Sequence, residues 1–495
     1  MKNSLILVLI FTLCTYTLSA QKHDNIWMLG YSDIGGPWIN LGISLCTLDF
    51  SKQPIEMKVA QKSYMDVAET FANISDKTGK LAFYSNGQLT ENFKNDSIKN
   101  CPFFINHDLG WTIVQGTMIL PYPQKDSLYL VMYQGSGFIP GTKDYGIKQF
   151  YYATIDMSKN KGEGEIIEKT KTIFNYIPAY GKLSAVRHGN GIDWWILVME
   201  FKTNVFHRYI LNKNGLQYEG KQAIGVIDPR GVGASVFSPD GTKYARYDDI
   251  AVSLGQSMDL YDFDRCSGLL SNNRRVTYMD KGGAGVVFSP NSQFLYVGLG
   301  DEIRQYDTKA NDLKKSEKSV AKRDQHVSCG TVPEGFYNGQ LAPDGKIYFC
   351  TDGCSRILHV IHQPDLSGTA CKVELHGITL PVYTFKMLPN FPNYKLGKMQ
   401  GCSTASIDIN EPTEVEIFPN PATSNLQIKL KISDFQKGIF HLYDTQGNLV
   451  VTYPLSQNHD EYRFDISNLS NGMYFWHLIL DDKTKQTGKI VVMKE

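Results

Sequence analysis

What this 495-residue chain lacks narrows its function before anything it contains. It has no excess charge of either sign, with Lys plus Arg at 50 and Asp plus Glu at 50. Phosphate backbones and anionic lipid surfaces reward a basic excess, so no nucleic-acid partner is expected. Beyond residue 20 no apolar run approaches the roughly 20 residues that a membrane-crossing helix needs, so no transmembrane segment is expected. No long 3.6-residue period occurs outside the first 20 residues, which leaves strands as the building material. Hydrolytic signatures are missing too: there is no Gly-x-Ser-x-Gly elbow to expose a nucleophile and no His-Glu-x-x-His to set two zinc ligands on one helical face. The run "GGAGVV" from Gly282 fits neither phosphate-cradling fingerprint and precedes a strand pattern, where a helix would be needed. "CTDGC", Cys350 to Cys354, has no second close cysteine pair and no histidine at finger spacing, so it reads as a disulfide or two buried thiols. No catalytic residue, cofactor or metal ligand is assigned.

What is present points outward from the cell. Met1 to Ala20 joins Lys2, an apolar run from Leu5 to Leu13 and a small-residue end, "LSA". That is the pattern of an export signal cleaved between Ala20 and Gln21. Leu13 stands where a lipid anchor on Cys14 would need a small residue. The eight cysteines after the signal are an even number, which permits disulfides in an exported protein but leaves 105 pairings open.

A phrase recurs. "VFSPDGTKYARY" begins at Val236, "VFSPNSQFLYVG" at Val287 and "QLAPDGKIYFCT" at Gln340, with turn prolines at 239, 290 and 343, spacings of 51 and 53 residues. Each copy reads as strand, Pro-Asp-Gly or Pro-Asn-Ser turn, and strand. A third strand comes next ("SMDLYDFD", "EIRQYDT", "RILHVIHQ"), then a fourth such as "RRVTYM" or "CKVELHG". Four antiparallel strands about every 50 residues make a β-propeller blade. Three earlier segments, from Phe71, Thr117 and Leu183, fit the template less cleanly. A seventh blade requires "VYTFKMLPNFPN", Val382 to Asn393, to pair as inner strand with "NIWMLGYS" and "ISLCTLDF" near the start, closing the ring. The expectation is an all-β protein with a seven-bladed β-propeller over residues 21–402, with six or eight blades as alternatives. "LKKSEKSVAKRD", Leu313 to Asp324, is read as a solvated loop.

After a polar link at 403–412, alternating strands separated by Gly and Asn turns fill residues 413–495, a pattern suited to a small β-sandwich of about seven strands. Four blocks stand in order there: "FPNPA" with Phe418, Pro419, Asn420 and Pro421; "LYDTQGNLV" with Asp444 and Gly447; "DISNLSNGMYF" with Leu469, Gly472 and Tyr474; and "GKIVVMK" with Lys489 and Lys494. The tail resembles the type A C-terminal sorting domain of the Bacteroidota type IX secretion system. That resemblance implies Sec export, recognition by an outer-membrane translocon, and tail removal with release or attachment to surface lipopolysaccharide. "TIDMSKNKGEGEI", "HGNGIDWWILV", "LYDFDRCSGLL" and "LPNFPNYKLG" make the body similar to secreted Bacteroidota propellers with WD-like blades, which implies fold and location only.

Isolated residues offer less. His188, just before Trp194 and Trp195, could act as a base beside Asp193, but without a nucleophile it reads as a turn residue. Alternation sends Trp194 and Trp195 to opposite faces, one packed between blades and the other freer. Long connections place Trp38, Asp248 and Asp249 as a ligand-binding surface. "DSI" and "DSL" are similar to the Bacteroidota O-glycosylation pattern, at Ser97 and Ser127. The reading is a non-enzymatic binding or adhesion module at the cell surface or in the medium, with an extracellular protein or glycan as ligand. The alternative is a propeller hydrolase or lyase acting on an extracellular glycan or peptide.

Overall fold

The computed structural model describes residues 21–495 apart from 32–43, 61–64, 66, 68, 102–112, 140, 142–144, 173–175, 228–231, 249–254, 280, 284, 329–331, 387, 403–414, 431–434, 445–447, 457–458, 460, 482 and 495. Among the described residues the only helical pieces are single 3-10 turns, such as Lys314–Ser316. The chain divides into two compact units, 1–402 and 403–495.

The first unit is a succession of antiparallel sheets, each built from strands in chain order. The first comprises Ile26–Tyr31, Ser44–Asp49 and Glu56–Val59, and the second Ala72–Ser75, Leu81–Ser85 and Thr90–Asn92. Four-stranded sheets come next: the third (Thr117–Pro121 to Glu165–Thr172), fourth (Ser184–Arg187 to Gly215–Ala223), fifth (Ser235–Phe237 to Leu269–Tyr278), sixth (Val286–Phe288 to Lys318–Lys322) and seventh (Gly339–Leu341 to Val373–Phe385). A two-stranded hairpin, Val327–Ser328 with Val332–Pro333, separates the last two.

Period-two alternation decides how these sheets stack. In the second strand of the fourth sheet, Trp194, Ile196 and Val198 join one apolar cluster while Trp195, Leu197 and Met199 join another, shared with Tyr244 and Phe263 of the fifth sheet. In the seventh sheet, Ile347 and Phe349 face the sixth, whereas Tyr348 packs toward the first. Tyr348 meets Trp27 and Phe50 edge-on at 5.7 and 5.6 Å, and Tyr31 stacks on Phe385 at 5.0 Å. The last sheet therefore packs on the first, and the order of sheets is cyclic. Both faces of the fourth sheet are covered, so neither tryptophan is the freer one: Trp194 and Trp195 are both buried, their indole N–H groups donating to Pro121 O and Arg265 O.

The repeated turns explain the repeated strands. Asp240 Oδ1 accepts the Thr242 N–H at 2.9 Å and the Ser238 hydroxyl at 2.6 Å. Asn291 Oδ1 does the same for Gln293 N–H (3.0 Å) and Ser289 (2.7 Å). Such side-chain caps hold the chain in a tight reversal and align the two strands on either side. The turns also interlock, with Asp240 N–H on Ser292 Oγ at 3.1 Å and Asn291 N–H on Asp365 Oδ1 at 2.9 Å.

Two expectations change. The basic stretch is not all loop: Lys318–Lys322 is the fourth strand of the sixth sheet, with Lys318 and Lys322 exposed, as suits an outer edge that must not pair with another chain. Nor does Val382 to Asn393 pair with the first sheet. Val382 to Phe385 end the strand Val373–Phe385, which pairs with Cys354–Ile361, and among the described residues no sheet joins the two ends of the unit. Pro389 and Pro392 lack the N–H groups that a ladder requires.

Residues 388–402 instead cross the inner strands as a strap. Asn390 donates its backbone N–H to Phe71 O (3.4 Å) and its side-chain amide to Thr117 O (3.0 Å) and Leu183 O (2.9 Å), touching the second, third and fourth sheets from one residue. Tyr394 donates to Ile119 O, Asn393 to Pro239 O, and Arg265 to Gly397 O. The disulfide Cys266–Cys402 pins the far end to the fifth sheet. Gly189 lies against this disulfide, and a Cβ there would sit 2.3 Å from Cys402 Sγ. Cys46, Cys350 and Cys371 are free thiols, while Cys354 is disulfide-bonded, so "CTDGC" is not itself a bridge.

The second unit holds two antiparallel sheets, Val415–Phe418, Asn425–Leu430 and Glu461–Asp465 in one and Gly438–Tyr443, Leu449–Leu455, Gly472–Leu480 and Lys483–Val492 in the other. Leu426, Ile428 and Leu430 share one core with Phe440, Leu442, Leu478 and Ile490.

Replacing Asn390 by Ala orphans two buried carbonyls and should lower unfolding stability by about 2–4 kcal/mol. Cys402→Ser should lower it by about 2–5 kcal/mol in oxidising buffer. Denaturant titration checks both, and wild type and Cys402→Ser should converge once reductant opens the disulfides.

Candidate functional site

The first strands of the fourth to seventh sheets lie beside one another, each paired on one side only. Between them is a cavity of about 300 Å³. Its wall is made of Ser184, Ser235, Val287, Gly339 and their backbone, its rim of the turn prolines 239, 290 and 343, and one side of the strap segment Asn390 to Asn393. Gln115 and Ser235 along it already satisfy each other. Gln115 receives the Ser235 N–H (2.8 Å) and donates back to Ser235 O (3.0 Å), and the Ser235 hydroxyl donates to Lys182 O (2.9 Å). Of the ionisable groups in the lining, Asp24 and Lys395 pair at 3.3 Å. What the wall presents to a ligand is backbone edge and apolar surface, which suits recognition by shape and hydrogen bonding.

His23 belongs to the same end, donating from Nδ1 to Ser75 O at 2.6 Å, and burial pulls its pKa below the ordinary value. Gln21, the expected first mature residue, accepts a hydrogen bond from Arg187 at 2.6 Å. Ala20 lies outside the described residues.

Trp38 and Asp249, the expected ligand surface, also lie outside them. Asp248 is described and is wholly buried at the end of the strand Lys243–Asp248. It forms an ion pair with Lys182 and lies 3.5 Å from Arg246. Beside it, Asp259 receives Arg275 through two bonds (2.8 and 2.6 Å) and Arg246 Nε (3.2 Å). Burial alone would raise the Asp259 pKa, but Arg275 and Arg246 outweigh it and hold the carboxyl below its usual range. The Lys182–Asp248 pair fastens the fifth sheet to the entry of the fourth, while Arg246, Asp259 and Arg275 tie neighbouring strands within the fifth. Their sequence signal, alternate charged residues within an apolar strand ("ARYDD"), resembles an exposed face until the neighbouring sheet is in place.

His188 is a turn residue. Its Nδ1 accepts the Asn190 N–H (3.0 Å), so the proton sits on Nε2, which donates to Cys266 O (3.1 Å). Asp193 is bound to Asn190 at 2.6 Å instead. Ser97 is exposed, and Ser127 is half-buried in the turn before Leu128–Phe138, its carbonyl accepting the Met157 N–H.

In the second unit three of the four motif blocks converge. Asn420 accepts the Val491 N–H (2.9 Å) and donates to Lys489 O (3.4 Å), while Ala422 exchanges backbone bonds with Val491 and Met493. Lys494 pairs with Asn471 through its backbone, and its ammonium group reaches Ser467 O and Leu469 O. Leu469 is buried, Tyr474 donates to Ser470 O, and Gly472 opens the strand opposite Val492. Phe418, Pro419 and Pro421 flank Asn420 in the chain, with Phe418 exposed. Asp444 stands apart, capping its own turn through Asn448 (2.9 Å), and Gly447 lies outside the described residues.

Residues 416–493 match the family described as "Secretion system C-terminal sorting domain". The tail is a secretion-system sorting domain, and this supports export of the chain by type IX secretion. No curated protein matches the chain. Solved structures that are similar include the Dos1 propeller, 11% identical with a TM-score of 0.35 over 72% of this chain and 83% of that one. The periplasmic gluconolactonase PpgL of Pseudomonas aeruginosa is 11% identical, with a TM-score of 0.37 over 95% and 99%. A protein from Lactobacillus plantarum is 13% identical, with a TM-score of 0.36 over 89% and 99%. At such scores no activity transfers. No helix among the described residues is long and apolar enough to cross a membrane.

Asp259→Asn takes the carboxylate from the buried Arg246 and the half-buried Arg275 and should cost about 3–5 kcal/mol at neutral pH. Because the folded pKa is depressed, the stabilisation is present above the unfolded value of about 3.9 and is lost as pH falls through the folded one. The gap between wild type and variant should therefore shrink below about pH 4, which denaturant titrations across pH 2–7 would read.

Proposed function

We propose that this protein is an exported binding module: a seven-bladed β-propeller over residues 21–402, delivered by a β-sandwich sorting domain of type A over 413–495. The observation that carries the reading is the sorting-domain match over 416–493, together with the clamp that gathers its motif residues. The cyclic packing of seven sheets supports the propeller reading. The signal at 1–20 takes the chain to the periplasm, and the folded tail is then read by the type IX translocon of a Bacteroidota cell. Removal of the tail leaves the ring on surface lipopolysaccharide or in the medium.

The ring acts by binding an extracellular protein or glycan. A cavity lined by backbone and apolar groups, with its carboxylate Asp24 paired to Lys395, favours recognition over hydrolysis. Trp38 and Asp249 remain proposed contributors through the loops, and Ser97 and Ser127 proposed sites of O-glycosylation.

Deleting residues 413–495 should leave the ring folded in the periplasm and absent from the cell surface and medium of a type IX-competent host. Asn420→Ala, which breaks the clamp, should impair export in the same direction. Fractionation and mass spectrometry read both outcomes. Export of the deletion variant at the wild-type level, or mature chain still bearing Lys494, would overturn the proposal.

A further inference from the structure

A second concentration of ionisable groups lies away from the cavity, where the sixth sheet hands the chain to the seventh. Asp324 and His326 come just after the strand Lys318–Lys322, and His376 sits within Val373–Phe385. His376 Nε2 is 3.0 Å from Asp324 Oδ2, and His326 Nδ1 is 3.5 Å from the same oxygen. One donor atom from each of the three residues lies within 4.8 Å of the others. Metal bonds of about 2.0–2.1 Å in a tetrahedral arrangement put neighbouring donors roughly 3.3 Å apart. The observed separations need little adjustment to receive such an ion.

The backbone is bent to make this possible. Leu358 pairs with Ile378 but Val360 pairs with Glu374, so the ladder bulges around residues 375–377. His376 occupies the bulge with φ of 56°, a left-handed conformation that non-glycine residues seldom adopt. Bulges re-aim a side chain, and this one turns His376 toward Asp324. His359 fixes it there by accepting the His376 N–H at 3.2 Å.

Behind His376 stands a carboxylate that orients it. Glu334 Oε2 is 2.8 Å from His376 Nδ1. Its other oxygen accepts the hydroxyls of Ser355, at 2.7 Å, and Ser328. A carboxylate on Nδ1–H leaves Nε2 as the ligand atom, the arrangement by which metal-bound histidines are commonly held. Glu334 is buried, whereas Asp324 and His326 are exposed, so the front of the cluster opens to solvent.

We infer that Asp324, His326 and His376 form a binding site for a divalent late first-row transition ion, with zinc as the natural probe and Glu334 as the residue that positions His376. The donor set of two imidazoles and one carboxylate suits zinc and its neighbours better than calcium or magnesium, which prefer oxygen alone. The three protein ligands leave a further coordination position toward solvent, for water or a group on a bound partner. This inference is independent of the route of export and of the ligand of the cavity.

The test is titration of the full chain, stripped with chelator, with zinc followed by calorimetry and with cobalt followed by its visible spectrum. Wild type should take up one equivalent at this site and show cobalt d–d bands. Asp324→Asn, His326→Ala and His376→Asn should each weaken zinc binding at least tenfold and abolish those bands. Asparagine tolerates the left-handed conformation at 376, so that variant should keep its fold, which circular dichroism would verify. Glu334→Gln should keep the stoichiometry but weaken affinity about 10- to 100-fold, as expected for an orienting carboxylate. His362→Ala removes an ordinary surface His–carboxylate pair with Glu374 and should change nothing. If wild type takes up no zinc, or binds it no better than folded His376→Asn, the inference fails and the cluster is a structural histidine held between two carboxylates.

Discussion

Sheets that leave their inner edges unpaired can hold a ring only if something ties the ends together. Strand pairing between the ends is the familiar solution, and none is found among the described residues. Here the tie is made by residues 388–402. Asn390 spans three sheets through three hydrogen bonds, Tyr394 reaches the third, Arg265 holds Gly397, and the Cys266–Cys402 disulfide closes a span of 136 residues. A buried amide serving several carbonyls is hard to replace, because each carbonyl would otherwise be left dry and unpaired. The aromatic contacts of Trp27, Phe50 and Tyr348 then bring the seventh sheet onto the first.

The strap also shapes the site. By crossing the inner strands it forms one side of the cavity and brings Lys395 to Asp24. The cavity is thus a consequence of closure, lined by what closure left over: strand edges and turn prolines. The buried charges of the fifth sheet do comparable work, with Lys182 on Asp248 and Arg246 on Asp259 neutralising aspartates that would otherwise resist burial.

Much of this was legible in the sequence where local chemistry dictates structure. The Pro-Asp-Gly and Pro-Asn-Ser turns announce their hairpins because Asp240 and Asn291 cap them from two residues away. The motif blocks of the tail stand out for a similar reason, each marking a turn or a core position. Features built over long separations were hidden. The strap looked like a strand because Val382 to Phe385 do form one, and the course of the chain beyond them is set by partners more than 100 residues distant, such as Thr117 and Leu183. One of the two adjacent tryptophans was expected to be freer because alternation says which face a side chain takes, not what covers that face. Asp248 has the sequence context of a loop carboxylate, and only the fold brings Lys182 beside it. The His376 cluster has no signature, since 50 residues separate His376 from His326 and a bulge brings it to the other two.

The central claim is that the strap, not a strand pairing, makes the ring one cooperative body. Native-state amide hydrogen exchange on the full chain tests it most directly. The N–H groups of Asn390 and Met399, which donate to Phe71 O and Gly189 O, should exchange with the same opening free energy as those of Ile26–Tyr31 and Ile347–Phe349, equal to that of global unfolding. Exchange of the strap amides at a much lower free energy, while the first and seventh sheets stay protected, would show that the ring closes without it.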